Sequence, residues 1–125
     1  MRDRRQSRQR AEQRGRTAEL LAALWLMAKG YRILAHRART PFGEVDLAAV
    51  KGRTLAVVEV KARATRLMAL ESVGLRQRDR IARAGLSLAK RHRLDGASVR
   101  LDLVIVRPWS WPEHIADAWQ AERIG

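Results

Sequence analysis

The chain has 125 residues, one domain's worth and enough for a single modest core. Its 26 Lys and Arg against 13 Asp and Glu give a formal charge of +13, which makes a polyanion the natural partner: nucleic acid first, with a ribosome or an anionic membrane surface satisfying the same charge. The lack of cysteine excludes disulfides, thiolate catalysis and Cys-based zinc sites, and fits a cytoplasmic protein.

Residues 1–16 are dominated by Arg and Gln, with almost no apolar side chain. They predict a basic, flexible N-terminal arm, a solvated stretch or a frayed helix, serving as a mere tail or as a strap along phosphates, ahead of a single domain over 17–125. The apolar run Thr17 to Ala28 mimics a secretory signal after its basic start. Glu19 interrupts it, however, no small-x-small site precedes Lys29-Gly30, and the run is too short to span a bilayer. As a helix it places Ala18, Leu21, Trp25 and Ala28 on one stripe with Leu20, Leu24 and Met27 beside it, and Gly30 stands as a left-handed cap. Glu19 is the only charge in it. Ala22 and Ala23, a turn on, are small enough to let the helix lie close to a sheet; by itself, a glutamate near a helix N-terminus is simply favoured by the macrodipole.

Tyr31 to Ala38 reads as a first strand, with Tyr31, Ile33 and Ala35 against Arg32, Leu34 and His36. Arg37, Arg39, Thr40 and Pro41 lead into the turn before Gly43. His36 has no second histidine or carboxylate at metal spacing and reads as a surface residue. Two more strands follow, Gly43 to Val50 and Thr54 to Lys61, joined by the hairpin turn Lys51-Gly52-Arg53. If Gly52 takes the first central turn position, Lys51 pairs with Thr54, Asp46 opposes Glu59 and Glu44 opposes Lys61; if Lys51-Gly52 form the turn, Glu44 faces Glu59. Either register brings two carboxylates together inside an otherwise apolar pair of strands. Like charges so opposed destabilise a ladder. A divalent cation would compensate them, since Mg²⁺ takes one or two carboxylates plus water and phosphate oxygens. Lys61 lies on the face of Glu59, where an ammonium can orient a nucleophile or stabilise a transition state. The plainer reading is an exposed polar face with Lys61 paired to Glu44 or Glu59.

Beyond Lys61 the chain leaves the sheet, and a long helix is predicted from about Ser72 to Arg93, with Gln77, Ile81, Ala84 and Leu88 on its apolar stripe. Arg76, Arg80, Arg83, Lys90 and Arg91 give it a basic outer face, with Asp79 alone as an acidic neighbour in the central turns, which favours phosphate contact over a merely solvated face. Asp95-Gly96 makes a turn. Val99 to Val106 reads as a strand with Val99, Leu101, Leu103 and Ile105 on one side and Arg100, Asp102, Val104 and Val106 on the other. Asp102 needs a partner there, Arg100 or a basic residue of a neighbouring strand. Trp109, Trp111 and Trp119 either cap the core or stack on unpaired bases, and without repeated basic and aromatic interleaving capping is the preferred reading. The order α, β, β, β, α, β, with one last short strand, predicts an α/β fold whose mixed sheet is flanked by two helices.

Asp46 followed by Glu59-Val60-Lys61 resembles the active-site signature of the PD-(D/E)xK nuclease superfamily. More narrowly, Gly43-Glu44-Val45-Asp46-Leu47, Val58-Glu59-Val60-Lys61-Ala62-Arg63 and Gly15-x-x-Ala18-Glu19 are similar to the YraN family, small bacterial proteins with a core like the archaeal Holliday-junction resolvases. The resemblance runs from about Gly15 to Trp119. It implies a restriction-endonuclease-like mixed β-sheet flanked by helices with an αβββαβ core. It also implies a Mg²⁺- or Mn²⁺-dependent endonuclease acting on DNA, branched or repair-intermediate DNA included. Asp46 and Glu59 would hold metal with the Val60 carbonyl, Lys61 would aid the nucleophile, and Glu19 would be an outer metal or water ligand. Glu44 would sit at the site rim, with Arg63, Arg76, Gln77, Arg78 and Arg80 toward nucleic acid. A four-way junction as substrate would call for a homodimer. Arg37 stands where the family usually has asparagine, Gln77 where relatives tend to have lysine, and Leu101 where phenylalanine is common. The alternative is a nucleic-acid-binding protein that retains the nuclease fold without cutting.

Overall fold

In the computed structural model, which describes residues 4–94 and 96–118, the hairpin around Gly52 forms in the first of the two registers. Gly52 turns the chain at φ +60, Lys51 pairs with Thr54, and the antiparallel pairing of β2 (Gly43–Lys51) with β3 (Thr54–Ala62) continues to Leu47 opposite Val58. The regular pairs stop there. No regular pair sets Glu44 opposite Lys61 as that register predicts, and on the other edge of β2 Glu44 pairs with Arg39 of β1 (Arg32–Thr40). The reason is local: the Asp46 side chain accepts from the Val60 N–H at 2.8 Å, where a strand carbonyl would otherwise do so.

The remaining elements are α1 (Arg4–Ala28), α2 (Arg66–Glu71), α3 (Leu75–Arg91), β4 (Ser98–Val106) and β5 (Glu113–Ile115). The sheet order is β1-β2-β3-β4-β5, with β3 and β4 parallel and every other pair antiparallel. Parallel neighbours need a crossover, and α2 with α3 supplies it. This is the α/β, restriction-endonuclease-like mixed sheet flanked by helices, with the αβββαβ core expected from the sequence; β5 is the anticipated last short strand.

Two apolar layers hold it. Val45, Leu55, Val57, Leu103 and Ile105 pack with Ile81, Ala84 and Leu88 of α3, while Leu47, Ala49, Ala56, Val58 and Val104 pack under Ala22 and Leu26 of α1. The two faces of β4 separate as its alternation predicts. Gly85 lets α3 lie flat on β3 and β4, since a Cβ there would come within 2.7 Å of both Val57 and Val99. In β1 a bulge between Ile33 and Ala35 interrupts the expected alternation: Ile33 joins the α1 layer, whereas Leu34 and Ala35 join the other.

The helices differ from expectation in three places. First, α1 is longer than the run Thr17 to Ala28: it continues back to Arg4 through the basic stretch, which takes the helical of its two expected forms with its charged side chains exposed. Second, its buried face is Ala18, Glu19, Ala22 and Leu26, so Leu20, Leu21, Leu24, Met27 and Ala28 point outward instead of forming the core stripe. Small residues on the inner face bring the helix close to the sheet, and that contact turns the bulkier leucines away. Third, the helix predicted from about Ser72 forms as α3 from Leu75, and a short helix that was not expected, α2, precedes it. The Thr65 hydroxyl caps α2 by accepting from the Met68 N–H, Val73 is buried as an anchor, and Gly74 in extended conformation opens α3. Asp95, of the predicted turn, lies outside the described residues; Gly96 beside it has φ +77. Among the described residues no helix is long and apolar enough to cross a membrane.

Candidate functional site

The carboxylates expected to meet do so at the end of the β2–β3 ladder. Glu59 is buried, at 4 % exposure, and in hydrogen-bond contact with the half-buried Asp46. Burial, and then the Asp46 carboxylate, push the Glu59 carboxyl up to about 8, against the opposing pull of Lys61 and Arg80. Lys61 is half-buried and lines the same groove as Asp46, Glu19 and Val60. Two adjoining carboxylates, one of them (Asp46) on the groove wall, are the oxygen donors that Mg²⁺ or Mn²⁺ takes, so the residues present fit such an ion. No group of three or more His, Cys, Asp or Glu gathers there among the described residues, which leaves the Val60 carbonyl, substrate and water to complete a coordination shell.

Glu19 is held otherwise than as a free ligand. Arg37 grips it with two hydrogen bonds, Nε to Oε1 at 3.0 Å and Nη2 to Oε2 at 2.9 Å, and His36 Nε2 lies 3.2 Å from Oε1. Burial raises the Glu19 carboxyl, and Arg37 and His36 outweigh it and leave it below its ordinary value. Arg37 adopts φ +53, a left-handed conformation that turns it toward α1. Both residues had read as bystanders in the sequence; His36 is a partner of Glu19 and not a lone surface histidine.

Arg80, expected on the outer face of α3 against phosphates, turns inward. It donates to the carbonyls of Phe42 and Glu44 at 3.3 and 3.1 Å and lies 3.6 Å from Glu59 Oε1. Gly43 makes room for it: a Cβ there would sit 2.6 Å from Arg80 Nη1, and its φ of +112 suits glycine alone. The signal was present in the sequence, since Arg80 stands one turn before Ala84 on the buried stripe. Of the other expected basic contacts, Arg76 is exposed, Gln77 is half-buried, Arg78 donates to the Val73 carbonyl, and Arg63 lies on the groove wall. Glu44 is exposed, 3.9 Å from Arg39.

Asp102 lies away from this site and is structural. Fully buried, it accepts two bonds from Arg100, one from His114 Nε2 at 2.7 Å and one from the Asp117 N–H. Arg100 also donates to the Tyr31 hydroxyl, and Lys29 Nζ is 2.6 Å from His114 Nδ1, so the network ties β4 and β5 to the end of α1. The tryptophans overturn the capping reading. Trp109 and Trp111 are exposed, and Trp111 stacks on Trp25 at 5.7 Å; Trp119 lies outside the described residues. Capping fails because the run 107–112 lies along the groove beside α1, where Trp111 meets Trp25 and Trp109 stays in solvent.

Residues 18–106 match the Uncharacterised protein family UPF0102. The chain is 55 % identical over 114 residues to a UPF0102 protein of Maricaulis maris, covering 90 % of each chain. It is 54 % identical to one of Caulobacter vibrioides (92 % of this chain, 94 % of the relative) and 46 % identical to one of Erythrobacter litoralis (90 % and 97 %). With a match across most of its length and relatives this similar, the chain belongs to the UPF0102 family, the YraN family that its motifs resemble.

Proposed function

We propose that the protein is a divalent-metal-dependent phosphodiesterase acting on DNA. The observation that carries this reading is the Asp46–Glu59 pair, two carboxylates in contact at the end of an apolar ladder, of which Asp46 lines a groove on a strongly basic chain and Glu59 is buried behind it. Bound Mg²⁺ or Mn²⁺ would supply an activated water and neutralise charge on the phosphorus centre. Asp46 and Glu59 would hold the ion, with the Val60 carbonyl as a further oxygen. Lys61 directs its ammonium at the groove, where it orients the attacking water and stabilises developing negative charge. Glu19 is a positioning residue: it fixes Arg37, whose positive charge acts on both Asp46 and Glu44.

The test is cleavage of labelled DNA with Mg²⁺ or Mn²⁺ by wild type and by Asp46→Ala, Glu59→Ala and Lys61→Ala. Each substitution abolishes cutting while DNA binding persists. Undiminished metal-dependent cutting by purified Lys61→Ala would overturn the assignment. One observation favours the second reading, a nucleic-acid-binding protein that does not cut: Arg37 and Arg80 already offset Glu19 and Glu59, and no third acidic residue joins the pair among the described residues. That reading predicts binding without cleavage under either metal and no thermal shift with either ion.

A further inference from the structure

The groove that begins at Asp46 and Lys61 does not end there. It encloses about 1650 Å³, above the usual range for a small-molecule pocket, and continues along α1 to the connection between β4 and β5. At that far end the surface is aromatic. Trp109 is fully exposed and Trp111 is 79 % exposed, with one Trp111 face against Trp25. Trp109 has φ +59, a conformation bulky residues rarely adopt, and it holds the indole out in solvent. Along the wall stand Arg10 and Arg14 of α1 and Arg63 after β3, none of them in an ion pair among the described residues.

We propose that this groove binds an unpaired nucleic-acid segment, with Trp109 and Trp111 stacked on its bases and Arg10, Arg14 and Arg63 on its phosphates, leading the strand to Asp46 and Glu59. The inference deepens the phosphodiesterase reading and rests on it for the fate of the strand, but the binding itself does not require cleavage. Charge complementarity selects the occupant. A second copy of this chain brings the same +13 to an arginine-lined groove and is repelled, whereas a strand brings phosphates at every step and a flat apolar base for each indole. Duplex DNA keeps its bases stacked on one another, so the indoles would have nothing to receive. The substrate class is therefore nucleic acid with an unpaired stretch next to the bond that is cut.

The experiment is binding of fluorescein-labelled oligo-dT, and of a blunt duplex, to the whole chain in EDTA. Wild type binds the single strand with quenching of tryptophan fluorescence. Trp109→Ala and Trp111→Ala each weaken that binding roughly tenfold and leave duplex binding within about twofold, while Trp109→Phe retains it. Because both indoles are exposed, thermal unfolding confirms that the variants fold. Equal single-strand affinity in all variants, or equal weakening for both DNAs, would overturn the proposal. So would sedimentation of the wild type as a dimer that Trp111→Ala dissociates, which assigns the face to a second copy. Cutting by wild type in Mg²⁺ or Mn²⁺ keeps the two readings apart: single-strand binding that the tryptophan variants weaken, with no cutting by wild type, removes the phosphodiesterase reading and supports the groove.

Discussion

The Val60 N–H donates to Asp46 Oδ2 across 2.8 Å, so a side chain completes the β2–β3 pairing at the point where the two carboxylates meet. Asp46 thus has a structural bond and a chemical duty at once, and substitutions separate them. Asp46→Asn keeps an acceptor for Val60 and holds stability close to wild type, whereas Asp46→Ala leaves that N–H without its partner and costs about 1–3 kcal/mol. Both abolish metal-dependent cleavage. Urea denaturation beside a cleavage assay distinguishes them; residual cutting by Asp46→Asn would remove Asp46 from the metal site.

Glu59 gives the protein a pH signature. Its carboxyl rises from 4.5 to about 8 in the folded state, chiefly through burial and then through Asp46. Between those values the folded protein binds a proton that the unfolded chain has lost, so stability is fully present below about 4.5 and declines as pH rises toward about 8. Glu59→Gln flattens the decline. Mg²⁺ or Mn²⁺ raises the melting temperature of wild type above neutrality, and does so in neither Glu59→Gln nor Asp46→Ala. A metal-induced shift of equal size in all three proteins would place the ion elsewhere.

The Glu19–Arg37 pair acts at the acid end. Arg37 and His36 overcome the burial that would raise the Glu19 carboxyl and leave it depressed, so its contribution is present above 4.5 and is lost as pH falls through the lower folded value. Arg37→Ala lowers stability at neutral pH and reduces its fall on acidification. Denaturant midpoints for both proteins at neutral and acid pH measure this; parallel curves would mean that the pair contributes nothing.

Asp102→Ala tests the network at the other end of the sheet. The substitution leaves Arg100 and His114 without their shared acceptor and costs about 3–5 kcal/mol, a large part of a domain's ordinary stability. Cleavage per folded molecule stays at the wild-type level, because the side chain of Asp102 bonds to Arg100, His114 and Asp117 and not to Asp46 or Glu59. Loss of activity in a stably folded Asp102→Asn protein would show that its role extends beyond structure.

Gly85→Ala tests how closely α3 lies on the sheet. The added methyl must displace both Val57 and Val99, at a cost of about 1–3 kcal/mol, read as a lowered melting temperature. An unchanged melting temperature would show that the two valines yield freely.

What the sequence determined by itself was everything carried by short-range pattern. Alternation in β3 and β4 set which side chains share a face, and Gly52 marked the hairpin and brought a carboxylate of β2 to Glu59 in either of two registers, between which the folded chain chose Asp46. The family motifs fall on those same strands. Arg100 and Asp102, two apart on one strand, were legible as partners for the same reason. Tertiary structure alone decided the rotation of α1, the choice of Glu59 as the partner of Arg80, the capture of Glu19 by Arg37, the approach of His114 to Asp102 and the exposure of Trp109 and Trp111. Each depends on how closely layers pack and on which side chain fills the space between elements far apart in the chain. Periodicity records a residue's face; only the distance between faces decides its partner.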